Sequence, residues 1–288
     1  MESNHAAKAT LVLGAGGFLG RKITYQLADS GTTFRSIRGE TEYIEDTNGI
    51  KVNISSLAKF EYLNIINCSS GRLQNLQEAS LSNYEFPADV LKNVLELPVL
   101  TDWTQIDSYT QYSTGKVHDV NYVAFKNKFN DLINFQLKEK SNLIVRRISL
   151  PHLYGQGDKM ERFLPKTFKR ILLGENVKII SPQELLPLID IDDCVRLIMQ
   201  VNSINIFNER RVVQSIPPSE VVTALDFFLS FKRATGSQSD VSEGEKVEEV
   251  FTEEWKESEQ PTPIHSLIER TSRLVTFEKI DADIRRQL

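Results

Sequence analysis

The sequence predicts an α/β protein with an open, doubly wound parallel sheet and a smaller C-terminal lobe. The first observation is an uninterrupted apolar run at 11–13, which is typical of a strand buried on both faces. The second is a row of glycines, Gly14, Gly17 and Gly20, directly before a helical segment. The third is the alternation of strand-like and helical segments that follows, which indicates a parallel sheet because parallel strands are joined by helical crossovers.

Composition narrows the class of protein further. The 288 residues suffice for one large domain or a domain with a lobe, and 40% hydrophobic content is typical of a globular core. A net charge of −5 argues against bulk attraction to nucleic acid or anionic lipid. No apolar run approaches the roughly 18 residues that span a bilayer. The two cysteines and four histidines lack metal-ligand spacing, so we predict no metal site. Because no signal peptide precedes Leu11, we expect a cytoplasmic protein.

Each glycine of the first turn has a separate task. Gly14 allows a tight turn directly after the strand, and Gly17 lets the backbone approach a diphosphate closely. Gly20 lets the new helix pack tightly on the strand. The N–H groups of the first helical turn, which includes Phe18 and Leu19, then face the phosphates. The segment therefore predicts a dinucleotide site.

The string from Gly14 to Gly20, Gly-Ala-Gly-Gly-Phe-Leu-Gly, resembles the fingerprint of the extended short-chain dehydrogenase/reductase family, also called the NAD-dependent epimerase/dehydratase family. The resemblance covers about residues 9–230. It implies a Rossmann-type sheet and a nicotinamide dinucleotide as cofactor.

The second predicted strand, 32–38, bears on the choice of cofactor. An acidic residue about 20 positions past the glycines would accept from the adenosine ribose and select NAD. This chain has Arg38 there, and a guanidinium can fork onto a ribose 2′-phosphate. We therefore expect NADP(H) rather than NAD(H).

Two further strands are predicted at 50–54 and 60–67, followed by a helix at 83–97. The family resemblance implies that Asn53 and Ile54, at the end of the first of these strands, flank the adenine. It also implies that Cys68, Ser69 and Ser70, after the second strand, lie close under the cofactor, where small side chains are needed.

A fifth strand, 103–107, leads into the candidate catalytic residues Ser108, Tyr122 and Lys126. Tyrosine and lysine four residues apart lie on one face of a helix. An ammonium group near a phenol favours the phenolate and so prepares it for proton transfer. The resemblance implies that Lys126 also binds the cofactor ribose and that Ser108 binds the substrate oxygen. Thr110 and Ser113 are alternatives for the hydroxyl.

Beyond a sixth strand at 142–150, the turn from Tyr154 to Gly157 is a further mark of the family. The resemblance implies that Pro151 meets the nicotinamide, that His152 touches the substrate, and that Arg162 binds its diphosphate. A packed histidine and a solvated helix face are the alternatives for the last two.

We predict two functional parts. The dinucleotide-binding domain comprises 1–150 with about 186–204, and the substrate-binding lobe comprises about 151–185 and 205–288. Within the lobe, 234–263 is rich in glutamate and is expected to be mobile. The family also suggests a homodimer through the helices at 83–97 and 122–136.

The short loop between Ser108 and Tyr122 resembles that of 4-keto-sugar reductases related to CDP-abequose synthase. The resemblance implies an NADP(H)-dependent reductase of a keto group on a nucleotide-linked sugar, within the synthesis of surface-polysaccharide precursors such as O-antigen. One alternative is a nucleotide-sugar 4-epimerase with tightly bound NAD, and another is a catalytically silent, NADP-sensing protein. A 4,6-dehydratase is disfavoured because no Asp-Glu pair follows Ser108.

Overall fold

The computed structural model describes residues 8–28, 32–71, 75–112, 120–204, 209–244, 262–263 and 270–288. The chain divides into two compact units. The first comprises the segments 1–111, 117–149 and 198–215, and the second comprises 112–116, 150–197 and 216–288.

The strands of the described residues are, in chain order, β1 Lys8–Leu13, β2 Thr32–Ser36, β3 Tyr43–Asp46, β4 Lys51–Asn53, β5 Tyr62–Asn67, β6 Leu100–Ser108, β7 Leu143–Leu150, β8 His152–Tyr154, β9 Val177–Ile179, β10 Leu185–Asp190, β11 Arg211–Ser215, β12 Glu220–Thr223, β13 Val241–Glu243 and β14 Thr262–Pro263. The α-helices are α1 Phe18–Leu27, α2 Leu76–Ser80, α3 Phe86–Leu95, α4 Val120–Glu139, α5 Phe163–Leu172, α6 Ile191–Ser203, α7 Ala224–Thr235 and α8 Arg273–Gln287.

The first unit is built on a sheet with the strand order β11-β7-β6-β5-β1-β2-β3-β4. β1 pairs in parallel with both β2 and β5, and the β5–β6 and β7–β11 pairs are also parallel. β3 and β4 form an antiparallel extension on the outer side of β2. Along the chain, strands are thus added first on the β2 side of β1 and then on its β5 side. The reversal lies between β1 and β5, and in open α/β sheets ligands bind at the carboxyl ends of strands at such a point.

The central strands are buried because both of their faces are covered. β1 is buried from Ala9 to Leu13, and every residue of β7 is buried. Trp103 of β6 packs against Phe129 of α4, with ring centroids 5.7 Å apart. This core fixes the sheet and its carboxyl edge.

Several predicted boundaries change in the structure. The strand expected at 50–54 is β4, and its partner β3 was not predicted because its sequence, Tyr-Ile-Glu-Asp, lacks a long apolar pattern. The helix expected to begin at Asn83 starts earlier, with α2. A π-helical turn, Leu81–Glu85, joins α2 to α3, and the Asn83 amide donates to the carbonyl oxygens of Gly71 and Ala79, each at 2.9 Å. The sequence also predicts a last helix at 264–274, but the last helix, α8, spans Arg273–Gln287, and residues 264–269 lie outside the described residues.

The second unit has its own sheets and core. β10 pairs in parallel with β8 and antiparallel with β12, and β9 pairs in parallel with β13. Its core is rich in tilted and edge-to-face aromatic rings, contributed by Tyr154, Phe168, Phe227, Phe228, Phe231 and Phe277.

The compact units differ from the predicted domain boundaries at two places. Residues 186–197 belong to the second unit, because β10 pairs with β8 and β12, whereas we placed 186–204 with the dinucleotide-binding domain. Residues 209–215 belong to the first unit, because β11 pairs with β7. The assignment of cofactor and substrate to the two parts stays a prediction. Most of the acidic segment 234–263 lies outside the described residues.

Two features are absent from the described residues. No helix there is both long enough and apolar enough to cross a membrane. Within the same ranges, no group of three or more histidine, cysteine, aspartate or glutamate side chains is arranged to hold a metal ion.

Candidate active site

The glycine turn after β1 is compact because its glycines leave no room for side chains. Gly14 has a φ of 73°, and a Cβ atom there would lie 2.8 Å from the carbonyl carbon of Cys68. At Gly20 an added Cβ would lie 2.2 Å from the carbonyl oxygen of Gly14. Neither position therefore accepts another residue without movement of the backbone. Gly16, in contrast, faces open space, with no atom within 4 Å of an added Cβ.

The N-terminus of α1 is suited to an anion. Gly17 is the N-cap and forms no side-chain cap hydrogen bond, so the first N–H groups of the helix receive no capping side chain. Phe18 and Leu19 are buried on the first turn and hold the helix against the sheet. The N-terminal N–H groups and the helix dipole favour a phosphate at this point. The turn therefore fits the diphosphate of a dinucleotide.

The end of β2 differs from the sequence-based expectation. The strand ends at Ser36, whose hydroxyl accepts a hydrogen bond from the N–H of Gly14 at 3.1 Å. Ser36 thus couples β2 to the glycine turn, a role that sequence reasoning missed because a lone serine at a strand end carries no distinctive signal. Arg38 lies two residues beyond the strand and is exposed, with no ion pair to any described residue. Arg35 instead pairs with Glu45 of β3.

Asn53 is the last residue of β4, at the edge of the sheet, and Ile54 is the next residue along the chain. Asn53 is exposed, and its side chain accepts from the N–H of Ser55 at 2.9 Å, which caps the short 3-10 helix Ile54–Lys59. Ile54 is buried in the core. Their predicted position beside the adenine stays a prediction.

The loop after β5 runs directly beneath the glycine turn. The N–H of Cys68 donates to the carbonyl oxygen of Leu13 at 3.0 Å, so this loop continues the pairing with β1. Ser69 is buried and Ser70 is exposed. Burial raises the pKa of the Cys68 thiol to about 12, while the nearby charge of Lys126 acts in the opposite direction.

Lys126 lies where these segments converge. Its side chain is only 2% exposed, and its ammonium group donates to the carbonyl oxygens of Ser69 at 3.2 Å and Ile106 at 3.0 Å. An ammonium group has three N–H donors, so one remains for a further acceptor such as a ribose hydroxyl. Tyr122 is buried one helical turn earlier on the same inward face of α4. The structure thus brings Lys126 and the glycine turn to the same loop, since a Cβ atom at Gly14 would lie 2.8 Å from the backbone nitrogen of Ser69.

Ser108 is the last residue of β6 and stands at the carboxyl edge of the sheet. Its backbone N–H donates to Oε1 of Gln111 at 2.8 Å. Its hydroxyl lies 3.1 Å from that of Thr110, whose N–H also contacts the Ser108 hydroxyl at 3.3 Å. The two hydroxyls form one pair, so Thr110 stays an alternative to Ser108. Ser113, the other alternative, lies outside the described residues.

A buried polar network holds the helix that carries Tyr122 and Lys126. Asp107 accepts from Nδ2 of Asn130, at 3.2 Å to each carboxylate oxygen, and from Nε of Arg147 at 2.9 Å. These residues lie on β6, α4 and β7 respectively. Asn130 lies one turn beyond Lys126 on the same helix face. That spacing was visible in the sequence, but its partner Asp107 was not identifiable without strand pairing.

Three predicted residues, Pro151, His152 and Arg162, lie in the second unit. Pro151 is buried, and His152 begins β8 and is partly buried. Arg162 is the N-cap residue of α5, and its guanidinium forms an ion pair with Asp158 at 2.9 Å. A solvated, ion-paired arginine is thus the arrangement in this structure, and contact of these residues with cofactor or substrate stays a prediction.

Comparison with known proteins finds similarity in fold. No known protein-family model matches the chain, and no curated protein sequence matches it. Among solved structures, MoeE5 in complex with UDP-glucuronic acid and NAD is 18% identical, with a TM-score of 0.73, 97% of this chain covered and 100% of that chain.

Two epimerases give similar values. UDP-glucuronic acid 4-epimerase from Bacillus cereus, in complex with UDP-glucuronic acid and NAD, is 15% identical, with a TM-score of 0.72 and coverage of 97% of this chain and 100% of that chain. UDP-glucose 4-epimerase from Thermotoga maritima, with UDP-glucose, is 14% identical and has a TM-score of 0.70. The match covers 97% of this chain and 99% of that chain. The predicted Rossmann-type α/β fold with a large parallel sheet is thereby confirmed.

Proposed function

We propose that this protein is a nucleotide-sugar 4-epimerase that uses a nicotinamide dinucleotide bound at the glycine turn. The observation that carries the proposal is the convergence of the glycine turn and the buried Lys126 ammonium on the same loop, with Tyr122 one turn before the lysine. The complexes of MoeE5 and of the Bacillus cereus epimerase with NAD and UDP-glucuronic acid support this class of cofactor and substrate.

The chain's own residues would share the work as follows. The N–H groups at the start of α1 bind the cofactor diphosphate, and the remaining N–H of Lys126 binds a ribose hydroxyl. The Tyr122 phenolate accepts the proton of the sugar 4-hydroxyl and returns it after inversion. Ser108 or Thr110 donates a hydrogen bond to the same oxygen and holds it near Tyr122. When bound, the nicotinamide ring supplies temporary storage for the hydride.

The residues of this site could also support a second reaction, the reduction of a 4-keto sugar with NADPH. Arg38 is the observation that favours it, because an exposed guanidinium beyond the end of β2 is available for a ribose 2′-phosphate. An epimerase regenerates its cofactor in every turnover, whereas a reductase consumes it. The two proposals therefore differ in cofactor balance.

The test is incubation of the purified protein and NAD with UDP-glucose, UDP-glucuronic acid and UDP-N-acetylglucosamine, followed by proton NMR of the sugar ring. We expect inversion at C4 of at least one sugar without net formation of NADH. The Tyr122→Phe variant should lose at least about 100-fold of this activity, since it removes the group that transfers the proton.

The matched control is Tyr25→Phe, which removes the hydroxyl of an 84% exposed tyrosine on α1 and should leave the rate unchanged. Stoichiometric NADPH oxidation with a 4-keto sugar, and no inversion, would replace the epimerase proposal with the reductase. No reaction in either assay would contradict both.

A further inference from the structure

Two buried side-chain amides lie beneath the carboxyl edge of the sheet. Asn67 is the last residue of β5, and Gln105 is its direct partner on β6. They are 1% and 0% exposed, respectively. Burial of an amide costs free energy unless its hydrogen bonds are replaced, so the partners of this pair indicate what it does.

The two amides bind each other and in doing so become fixed in orientation. Nδ2 of Asn67 donates to Oε1 of Gln105 at 2.8 Å, and the indole N–H of Trp103 lies 3.4 Å from the same oxygen. The Asn67 oxygen and the Gln105 nitrogen are thereby left for other groups. The Asn67 oxygen and the Gln105 nitrogen each bind a backbone group at the carboxyl edge of the sheet.

On one side, Oδ1 of Asn67 accepts from the N–H of Ser69 at 3.0 Å and from the Ser69 hydroxyl. On the other, Nε2 of Gln105 donates to the carbonyl oxygen of Ile106 at 3.1 Å. The carbonyl oxygens of Ser69 and Ile106 are the two that accept from the Lys126 ammonium. The amide pair therefore binds both residues that hold the lysine.

We propose that Asn67 and Gln105 are positioning residues for Lys126, an assignment that rests on the proposed function for its catalytic meaning. The pair holds the Ser69 and Ile106 carbonyl groups at a fixed separation, and these direct the third N–H of Lys126 toward the cofactor site. The loop that contains Ser69 also packs beneath Gly14. The same amide pair therefore positions both the Lys126 ammonium group and the loop beneath the glycine turn.

The experiment uses Gln105→Met, which keeps the side-chain length and removes both hydrogen-bonding groups. Thr101→Val is the control, because Thr101 is fully buried on the same strand and its hydroxyl has no partner among the described residues. Asn67→Asp is the second variant should Gln105→Met fail to fold. It keeps an acceptor for Ser69 and loses the donor to Gln105.

The first readout needs no catalysis. Acetylation of Lys126 in the free protein is followed by peptide mass spectrometry. We expect Gln105→Met to raise the rate at Lys126 at least fivefold, with the exposed Lys128 unchanged, and Thr101→Val to change neither. An unchanged Lys126 rate in both Gln105→Met and Asn67→Asp would overturn the positioning role.

The second readout separates positioning from general stability. In the active enzyme, Gln105→Met should lower kcat at least tenfold with less than a twofold change in the sugar KM. In a Lys126→Met background it should cause no further loss, because its effect passes through the lysine. An equal loss in both backgrounds would show a structural role alone and contradict the inference. Absence of any wild-type activity would instead count against the proposed function, and the acetylation result would still decide the positioning role.

Discussion

At the scale of single residues, Lys126 is central because, within the described part of the chain, its buried ammonium group is bound by backbone carbonyl groups alone. Among the described residues, no carboxylate pairs with the ammonium, so its charge is available to stabilise an anion close by. In the proposed reaction, the Tyr122 phenolate one helical turn away is such an anion. The structure thus provides a physical reason for a lysine, rather than a neutral residue, at this position.

Replacement of this lysine tests that reasoning. Lys126→Met should lower kcat about 100-fold or more and weaken dinucleotide binding, because both the charge and the third N–H are removed. The control is Lys128→Met on the same helix, which removes an exposed ammonium 4.0 Å from the ring centroid of Tyr84 and should have little effect. Steady-state kinetics and a dinucleotide titration measure both quantities. Equal losses in the two variants would show that the position of Lys126 has no special role.

Cys68 gives a prediction that follows from the burial of its thiol and the pKa that this burial raises. With its pKa raised to about 12 by burial, the thiol is almost fully protonated at pH 8.5. We expect iodoacetamide to label Cys68 in the native protein at least about 100-fold more slowly than in urea, as measured by peptide mass spectrometry. The pKa of this thiol is higher in the folded state than in the unfolded state. Its contribution to the free energy of unfolding is therefore fully present below the unfolded-state pKa and is lost as the pH rises toward 12. Similar labelling rates in both states would show that the thiol is not protected.

The candidate catalytic residues could be predicted from the sequence, whereas the residues that we propose to position them could not. Tyr122 and Lys126 are visible because helical spacing is a local property. Asn67 and Gln105 could not be recognised as a pair, because they meet only through the register between β5 and β6, which local sequence does not specify. Arg38 was predicted from its distance to the glycines, yet β2 ends at Ser36, so the residue lies beyond the strand.

At the scale of elements, the contact between β1, its turn and α1 is the most constrained. Gly20→Ala would bring a methyl group within 2.2 Å of the Gly14 carbonyl oxygen, so α1 must move away from the strand. We expect a loss of about 2 kcal/mol or more in the free energy of unfolding, measured by urea denaturation. Gly16→Ala, with no atom within 4 Å, should change it by less than about 0.5 kcal/mol. A similar free energy for the two variants would contradict the tight packing.

The network between β6, α4 and β7 is the second constrained contact. Arg147→Met leaves the buried Asp107 carboxylate without its guanidinium partner, and we expect a loss of about 3–5 kcal/mol in the free energy of unfolding. The control is Arg35→Met, which breaks the more exposed pair with Glu45 and should cost at most about 1 kcal/mol. Chemical denaturation of both variants provides the comparison. A loss at Arg147 no larger than that at Arg35 would show that the network does not hold α4.

At the scale of the whole molecule, the fold was predictable because its strongest signals are local. The apolar run, the glycines and the alternation of elements specify a Rossmann-type sheet before any long-range pairing is known. The boundaries of the two units were less accessible. The apolar residues Leu186 and Leu188 of β10 are compatible with a strand in either sheet. The pairing of β10 with β8 and β12 places them in the second unit.

The function proposed here likewise differs from the first sequence-based expectation. The short loop before Tyr122 and Arg38 favoured a reductase with NADP, whereas two of the reported complexes of similar fold contain NAD, and two of the similar proteins are 4-epimerases. Loop length and one arginine are weak signals because neither fixes how the cofactor is turned over. The reaction is specified by the whole site rather than by any one of its segments.

The most direct measurement is a fluorescence titration of the intact protein with NADH and with NADPH. The central claim is that the glycine turn and Lys126 form one dinucleotide site. It predicts saturable binding of NADH, at least tenfold weakened in Lys126→Met and unchanged in Lys128→Met. Tighter binding of NADPH that is lost in Arg38→Asp would keep the site and favour the reductase. Binding of neither dinucleotide to the wild-type protein would contradict the central claim.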